Sequence, residues 1–215
     1  MERLRGSTVA VFGIGGVGSF ATEALARTGI GRLILVDHDV VDVTNINRQL
    51  HATTKTIGQS KTALMKTRIL EINPEARVDV IDEFYLPSDG GDDKFFIADY
   101  DCVIDAIDTI SGKIGLAVEC NRRGIPIVSS MGAGNKLDPT AFRAGDLFET
   151  TVDPIAKVMR KKLKALGLKK LRVVYSTEPP RRVLSKEIGS ISFVPSGAGL
   201  ILAGEVIKML VSDLL

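Results

Sequence analysis

Thr8-Val9-Ala10-Val11-Phe12-Gly13-Ile14-Gly15-Gly16-Val17-Gly18-Ser19 is the stretch from which the architecture of this 215-residue chain follows. A largely apolar run of this kind is typical of a strand in a parallel sheet that is covered on both faces. The glycines after it allow a tight turn and a close approach of a ligand to the backbone. The helix expected next directs its free N–H groups toward a phosphate. The stretch therefore predicts a strand, a ligand-binding turn and a helix.

A carboxylate, Asp37, follows the next predicted strand, Arg32-Leu33-Ile34-Leu35-Val36. In nucleotide-binding sheets of this type, an acidic residue about 20 residues beyond the glycines accepts a hydrogen bond from a ribose hydroxyl. The glycine spacing alone is a weak signal. In combination with the strand, the helix and Asp37, it predicts nucleotide binding.

Strands and helices alternate along the first half of the chain. Helices are expected at about 18–28, 60–71 and 111–123, and strands at 78–81, 102–106 and 125–130. This alternation predicts an α/β fold, a Rossmann-like, doubly wound and mostly parallel sheet. We expect a single domain over 1–215, with a nucleotide-binding half at about 1–130 and a substrate or interface half at about 131–215.

The second half departs from the alternation. Strands are expected at 141–148, 172–176 and 190–194, a helix at 154–166, and a loop of turn residues at 87–93 in the first half. These strands predict an antiparallel C-terminal extension of the sheet. The apolar stretch 197–215 is interrupted by Glu205 and Lys208, so a core or subunit-interface helix is expected rather than a membrane span.

The composition is that of an ordinary globular domain, with 45% hydrophobic and 25% charged residues. The net charge of +2 is too small to indicate a nucleic-acid partner by itself. The two cysteines, Cys102 and Cys120, exclude a disulfide framework and a four-cysteine zinc site. No signal-peptide pattern is found at the N-terminus, and we expect a cytoplasmic location without membrane attachment.

Two cations follow Asp37 where a hydride-transferring enzyme would not need them. They are Arg48, in Asn45-Ile46-Asn47-Arg48-Gln49, and Lys61, in Gly58-Gln59-Ser60-Lys61. Attack on the α-phosphate of a nucleoside triphosphate builds negative charge on the phosphoryl oxygens, and fixed cations stabilise that charge. A carboxylate pair, Asp105 and Asp108, ends a later predicted strand, where it could hold Mg²⁺ beside the phosphates. Taken singly, Arg48 would be a surface ion-pair partner and Asp108 a helix cap.

The order of these elements resembles that of the E1-like adenylating superfamily, which includes ubiquitin-activating enzymes and ThiF-type enzymes that adenylate sulfur-carrier proteins. The family motif runs GxGGxGS, then an Asp that ends the second strand, SNxxRQ, GxxK, and a strand that ends in Asp. In this chain the matching residues are 13–19, Asp37, 45–49, 58–61 and Asp108. Five elements in the same order cover about the first half of the chain.

The resemblance implies ATP and Mg²⁺ as cofactors and assigns site residues. It implies that Arg48, Lys61 and Asp108 are catalytic, that Gly16 and Asp37 contact the adenosine part of ATP, and that Asp108 orients the metal. It implies that Asn45, Arg48 and Lys61 bind the phosphates. The full implied nucleotide-binding set is Gly13, Gly15, Gly16, Gly18, Asp37, Asn45, Arg48, Lys61 and Asp108.

The second half is similar to the branch of this superfamily that dehydrates threonylcarbamoyladenosine in tRNA. The matching strings are found at 130–134, 137–140, 146–147, 151–154 and 189–196. The implied reaction is an ATP-dependent cyclisation of N6-threonylcarbamoyladenosine at position 37 of tRNA through an acyl-adenylate. A nucleophile within the modification closes the ring, which is consistent with the lack of any cysteine after Cys120.

A run of cations after Pro154 favours tRNA as a partner. Lys157, Arg160, Lys161 and Lys164 follow helical spacing, and Lys169, Lys170 and Arg172 continue the charge. The apolar side of this helix is expected to contain Ile155, Val158, Met159 and Leu166. The positive run indicates phosphate contacts, and a solvated helix face is the alternative. The family also implies a homodimer and an N-terminal arginine that reaches the partner's nucleotide, a motif that Arg3 and Arg5 do not match.

Three other functions remain open from the sequence. The first is an adenylyltransferase for a ubiquitin-like sulfur-carrier protein, although the paired CxxC motifs common in those enzymes cannot form from two cysteines. The second is an NAD-dependent oxidoreductase, and the third is a nucleotide-binding scaffold without catalysis. A sulfur-transfer partner is a further possibility that the sequence does not identify.

Overall fold

A seven-stranded sheet forms the centre of the protein in the computed structural model, which describes residues 1–87, 92–181 and 188–212. The strands are β1 (Thr8–Phe12), β2 (Arg32–Val36), β3 (Arg77–Ile81), β4 (Cys102–Asp105), β5 (Ile127–Ser130), β6 (Phe142–Asp146) and β7 (Arg172–Ser176). Their order is β3-β2-β1-β4-β5-β7-β6. Every neighbouring pair is parallel except β6 with β7. The predicted mostly parallel sheet with an antiparallel C-terminal extension is confirmed.

Helices cover both faces of this sheet. They are α1 (Glu2–Arg5), α2 (Gly18–Thr28), α3 (Lys61–Ile72), α4 (Ile110–Arg123), α5 (Pro154–Ala165) and α6 (Phe193–Leu210). Val9 and Val11 of β1 pack in the core cluster that contains α2, α3 and α6. Ala10 and Phe12 point to the opposite face, where they pack with residues of α4. This alternation explains why the strand residues between Val9 and Phe12 are all apolar.

The last helix, α6, packs against α2 and the sheet. Among the described residues it is the one helix long and apolar enough to cross a membrane, by length and composition, and half of that stretch is buried inside the fold. Glu205 on this helix is itself buried and forms ion pairs with Arg172 and Lys208. A buried, paired carboxylate is typical of a helix that belongs to a protein core.

One local prediction is wrong, and one short element was not predicted. The strand expected at 190–194 is wrong, because α6 begins at Phe193 and the side chain of Val194 is fully buried in the core. Pro195 fits the first turn of this helix, where the missing N–H would have no partner. The short helix α1 was not expected. The predicted loop at 87–93 lies in part outside the described residues, and Asp92–Phe95 form a 3₁₀ turn.

A buried ion pair joins β4, α4 and β5. The carboxylate of Asp105 accepts hydrogen bonds from Lys113 Nζ, at 3.1 Å for each oxygen, and from the hydroxyl of Ser129. Both charged side chains are almost completely removed from solvent. Loss of one partner would leave an uncompensated charge in the core, which is far more costly than loss of both.

We therefore expect Lys113→Met to lower the free energy of unfolding by about 3–5 kcal/mol. The double variant Asp105→Asn/Lys113→Met removes both charges and is expected to recover most of this loss. Urea denaturation followed by circular dichroism measures both values. Equal destabilisation by the single and the double variant would contradict a coupled buried pair.

Candidate active site

The turn after β1 is so tightly packed that two of its residues must be glycine. Gly13 has φ +87°, and its N–H donates to Val36 O at 2.8 Å. A Cβ atom on Gly13 would lie 2.6 Å from Ala106 O, in the loop after β4. A Cβ atom on Gly18 would lie 1.8 Å from Gly13 O. These contacts fix the turn against α2 and against the loop that leads to Asp108.

The two central glycines of the turn have a different environment. A Cβ atom on Gly15 would meet only Gln49 Nε2, at 3.8 Å, so space remains above its backbone. A Cβ atom on Gly16 would lie 3.3 Å from Arg48 Cγ and from Pro195 Cβ. The structure therefore brings Arg48 beside the glycine turn. The open backbone at Gly15 is the cradle that a phosphate or sugar group would require.

The predicted ribose acceptor, Asp37, is held at the same turn. One carboxylate oxygen accepts from Ile14 N–H at 2.6 Å, and the other accepts from Asp39 N–H at 2.9 Å. Both contacts come from the backbone, so the side chain is fixed in orientation. Each carboxylate oxygen can accept a second hydrogen bond, which leaves capacity for a ligand hydroxyl.

Lys61 is buried at the start of α3 and directed toward the same edge of the sheet. Its Nζ donates to Asp39 Oδ2 at 2.6 Å, and its backbone N–H donates to Asp39 O at 3.1 Å. The contact between Lys61 and Asp39 was not predicted, since the spacing of the motif gives no sign of this pair. Because Asp39 is half-exposed, a phosphate could compete with it for the ammonium group.

Asn45 and Arg48 lie on a short 3₁₀ segment, Val43–Asn45, and the residues after it. The side-chain oxygen of Asn45 accepts from Asp42 N–H at 3.1 Å and so helps to cap this segment. Nη1 of Arg48 donates to Thr44 O at 2.7 Å and to Asn47 Oδ1 at 2.9 Å. The guanidinium carries five N–H donors, so these two bonds orient it without exhausting it.

The two carboxylates of the later pair have separate roles. Asp105 is the buried partner of Lys113 and is unavailable to a ligand. Asp108 is exposed beyond the carboxyl end of β4, and no hydrogen bond or ion pair joins it to another residue of 1–87, 92–181 or 188–212. Thr109, rather than Asp108, is the N-cap residue of α4. The alternative role of Asp108 as a helix cap is therefore wrong.

Two sets of oxygen donors at this edge are candidate magnesium ligands. Asp37, His38 and Asp39 place one ligand atom each within 4.8 Å of one another. Backbone N–H groups engage the oxygens of Asp37, however, and Lys61 engages Asp39. Asp108 is a hard oxygen donor without such a competitor, so its chemistry fits a magnesium ion that also contacts phosphate.

His51 is buried close enough to Lys61 to be affected by its charge. Burial first, and the Lys61 ammonium second, lower the pKa of His51 to about 4. Neither ring nitrogen has a hydrogen-bond partner among the described residues, and the same is true of Gln49 Oε1. Buried polar atoms without partners are uncommon in folded proteins, and here they lie in the segment that follows Arg48.

A second buried ion pair lies beyond β5. Lys136 Nζ donates to Asp153 Oδ2 at 3.0 Å and to Gly132 O at 2.6 Å. Asp153 also accepts from Gly132 N–H at 3.1 Å and, as the N-cap of α5, from Ala156 N–H at 3.0 Å. One carboxylate thus joins the loop after β5 to the first turn of α5.

The backbone beside this pair is strained at two positions. Asn135 (φ 57°) and Val152 (φ 64°) are the two non-glycine residues with positive φ in the described part of the chain. Each directly precedes one member of the pair, and Val152 is β-branched, which makes a positive φ costly. Such strain persists only where surrounding contacts determine the conformation, and it often marks functional regions.

The cations of α5 form an exposed face. Lys157, Arg160, Lys161 and Lys164 border a hollow of about 600 Å³, together with Phe148, Leu168 and Lys169. Arg172 does not belong to this face, because it lies in β7 and pairs with Glu205. The predicted apolar side of the helix is partly wrong: Met159 is buried, but Val158 and Leu166 are exposed.

Comparison with known protein families gives one match that spans nearly the whole chain. The model of the ThiF family matches residues 1–213. The tRNA threonylcarbamoyladenosine dehydratase of Bacillus subtilis is 50% identical over 232 aligned residues, which cover 100% of this chain and 91% of that protein. The enzyme of the same name from Escherichia coli is 47% identical over 157 residues, 73% of this chain and 58% of that protein.

Solved structures give the same result. The crystal structure of E. coli tRNA N6-threonylcarbamoyladenosine dehydratase in complex with AMP superimposes with a TM-score of 0.93 at 38% identity. It covers 99% of this chain and 89% of that one. The structure of the E. coli protein in complex with ATP gives a TM-score of 0.92 over the same shares.

The depressed pKa of His51 predicts how stability changes with pH. Below about pH 6.5 the unfolded chain binds a proton on this imidazole, whereas the folded chain does not until about pH 4. The free energy of unfolding should therefore fall as the pH falls through this window, by about 2 kcal/mol from this group. Urea denaturation at pH 7 and pH 4.5 should show a smaller decrease for His51→Leu than for the unmodified protein.

The other histidine of the chain, His38, supplies the matched control, since its side chain is half-exposed. His38→Leu shows the effect of replacing a half-exposed histidine by leucine. If His51→Leu keeps the pH dependence of the unmodified protein, the buried imidazole does not contribute to that dependence.

Proposed function

The chain belongs to the ThiF family, and we propose that it is an ATP-dependent tRNA threonylcarbamoyladenosine dehydratase. The observation that carries this proposal is the 50% identity, over all of this chain, with the B. subtilis protein of that activity. The site geometry supports it, because the glycine turn, a fixed carboxylate and two cations lie at the carboxyl edge of a parallel sheet.

ATP is bound, in this proposal, across the turn after β1. Gly13 and Gly18 set the shape of the turn, Gly15 leaves its backbone open, Gly16 lets Arg48 approach, and Asp37 accepts from the ribose. The phosphate ligands are Asn45, Arg48 and Lys61. They are supported by their positions: Arg48 packs beside Gly16, and Lys61 pairs with Asp39, two residues beyond Asp37.

Magnesium is assigned to Asp108, whose exposed carboxylate fits a hard cation. When bound, this ion would neutralise charge on the phosphate oxygens. The catalytic group at this edge is thus the set of Arg48, Lys61 and Asp108. Asp108 follows the end of β4, Arg48 packs beside Gly16 in the turn after β1, and Lys61 pairs with Asp39, which follows the end of β2. Ligands bind at this edge of the sheet in open α/β folds.

The reaction starts when the carboxylate of the threonylcarbamoyl group attacks the α-phosphorus of ATP. A new P–O bond forms, the bond to the β-phosphate breaks, and pyrophosphate leaves with that electron pair. Arg48 and Lys61 stabilise the charge that develops on the phosphoryl oxygens, since they are already fixed in place. An atom of the modification then attacks the acyl carbon, the ring closes, and AMP departs.

A protein thiol takes no part in this sequence. Both cysteines are free and buried, and burial raises the pKa of Cys102 to about 12 and that of Cys120 further still. Such thiols stay protonated and inaccessible, so neither forms a thioester. The internal nucleophile is already held near its target, which gives it a high effective concentration.

The RNA is bound by the cationic face of α5. Lys157, Lys161 and Lys164 are exposed on this face and have no ion pair with the described residues. Unpaired surface cations at helical spacing attract a phosphate backbone and release its counterions. The nucleotide half, at about 1–130, and the substrate half, at about 131–215, would then hold the two substrates.

Two further properties belong to the same proposal. We assign the protein to the cytoplasm, where tRNA is found, and we expect a homodimer. The exposed apolar residues Phe193 and Leu200 on α6 offer a surface for such an association. We expect no membrane attachment, because half of the most apolar helix among the described residues is buried in the fold.

The direct experiment incubates the purified protein with ATP, Mg²⁺ and tRNA that carries threonylcarbamoyladenosine. Mass spectrometry of the digested nucleosides should show loss of one water from the modified base, together with AMP and pyrophosphate. The rival function is adenylation of a sulfur-carrier protein. Exchange of pyrophosphate into ATP that depends on a carrier with a Gly-Gly terminus, and not on tRNA, would support that rival instead.

Lys61→Gln is expected to reduce turnover by about a hundredfold to a thousandfold, because it removes a fixed charge from the transition state. Lys66→Gln, on the same helix, is the matched control and should keep full activity. Initial rates of AMP formation at saturating ATP and tRNA measure both. Normal turnover of the Lys61 variant would remove this side chain from the mechanism.

A further inference from the structure

The hollow beside α5 has the size of a small-molecule site, although no catalytic residue lines it. Its volume is about 600 Å³, within the range of pockets that hold one nucleotide-sized ligand. The helix face forms one wall, and the 3₁₀ turn Leu147–Glu149 and the segment after α5 form the others.

Among the described residues, no acidic side chain pairs with the lysines of the hollow. By contrast, two arginines on another part of the surface, Arg27 and Arg68, share Glu23. In the hollow, Lys157, Lys161, Lys164 and Lys169 form no ion pair with any residue of the described ranges. Several like charges held around one cavity raise the local potential and favour a ligand with more than one negative group.

The chain also supplies an apolar surface within this ring of cations. Phe148 is half-buried and lines the hollow, on a turn that Asp146 caps through Phe148 N–H at 2.8 Å. Leu168 lines it too, because Gly167 (φ +85°) reverses the chain and Leu168 N–H donates to Leu163 O at 3.0 Å. A simple anion gains no stacking contact from an aromatic ring, whereas a nucleotide base stacks on one.

Arg160 closes one side of the hollow. Its Nη1 donates to the carbonyl and the hydroxyl of Thr150, the residue that follows the turn of Phe148. This contact holds the turn that contains Phe148 against the helix that contains the lysines. A preorganised site of this kind costs less entropy when a ligand binds.

We propose that the hollow binds one nucleotide of the RNA substrate, with its base stacked on Phe148 and its flanking phosphates on Lys157, Lys161 and Lys164. The proposal rests on the proposed function only in taking RNA as the ligand. The proposal adds a base contact to a surface that would otherwise bind RNA through charge alone. This base contact lies outside the proposed ATP site at the carboxyl ends of the strands.

The affinities for two polyanions, tRNA and inorganic polyphosphate, distinguish the contribution of the Phe148 ring from that of the lysine charges. Phe148→Leu is expected to weaken the affinity for tRNA by roughly tenfold, the size of one lost base–aromatic stack. Its affinity for inorganic polyphosphate, which has no bases, should stay unchanged. Phe148→Tyr keeps an aromatic ring and should bind tRNA as the unmodified protein does. Thermal unfolding of each variant checks that the turn remains folded.

The salt dependence of tRNA binding tests the lysines. Lys161→Gln should reduce the slope of log Kd against log salt by about 0.7 to 0.9, the change expected for one lost phosphate contact. Lys162→Gln is the matched control, because Lys162 is the next residue on the same helix and faces a different groove. Phe148→Leu should leave the slope unaltered.

These binding measurements need no ATP. A result that contradicts the RNA contacts can therefore be told apart from a result that contradicts the dehydratase activity. Turnover at saturating tRNA should be normal in Phe148→Leu, with a raised KM for tRNA. Unchanged tRNA affinity in Phe148→Leu would overturn the stacking contact. Equal slopes for Lys161→Gln and the unmodified protein would overturn the phosphate contacts and leave an acidic protein as the better candidate occupant.

Discussion

The close approach of α2 to the carbonyl oxygen of Gly13 is the constraint on which the glycine turn after β1, and with it the proposed ATP site, depends. No side chain fits between them, since a Cβ atom on Gly18 would lie 1.8 Å from that oxygen. The loop after β4 packs against the turn in the same way, through Ala106. The turn after β1, the start of α2 and the loop after β4 therefore pack with their backbones in contact. Asp37 bonds the same turn through Ile14 N–H, and the loop after β4 leads to Asp108.

Residues of the same type have different partners here because their surroundings differ. Asp105 and Asp108 are close in sequence, yet the first is buried against Lys113 and the second faces solvent. Among the lysines, Lys61 and Lys136 are buried and held by carboxylates, whereas Lys161 is exposed on a helix. Burial makes a charge costly unless it is paired, so each of these buried charges is held by a partner of opposite sign.

Periodic and local signals made most of the fold predictable from the sequence. The apolar run before Gly13, the turn residues and the alternation of elements gave the parallel sheet, its antiparallel addition and the α/β class. The failure at 190–194 came from a short apolar segment whose period fits a strand or a helix, and only tertiary packing of Val194 decided between them. The exposure of Val158 was missed for a similar reason, since the helix contacts the core along a narrow stripe.

The site was less predictable than the fold because its contacts join distant parts of the chain. The motif pointed to Lys61 and Arg48, but nothing in their spacing indicated Asp39 as the partner of Lys61. Likewise, no sequence pattern indicated the ion pair of Lys136 with Asp153. The positive φ of Val152 could not be predicted either, because β-branched residues rarely adopt it. Such pairs depend on how loops cross at the end of a sheet, which local patterns do not encode.

Asp153 begins a series of polar contacts between α5 and the segment that contains Arg48. Its carboxylate both starts α5 and bonds the loop after β5, whose Asn135 N–H in turn donates to Gly189 O. The next residue, Ser190, accepts from the side chain of Asn47, the neighbour of Arg48. A continuous series of short polar contacts thus links the start of α5 to the segment that contains Arg48. The folded main chain therefore fixes the distance between the surface proposed to bind RNA and the site proposed to bind ATP.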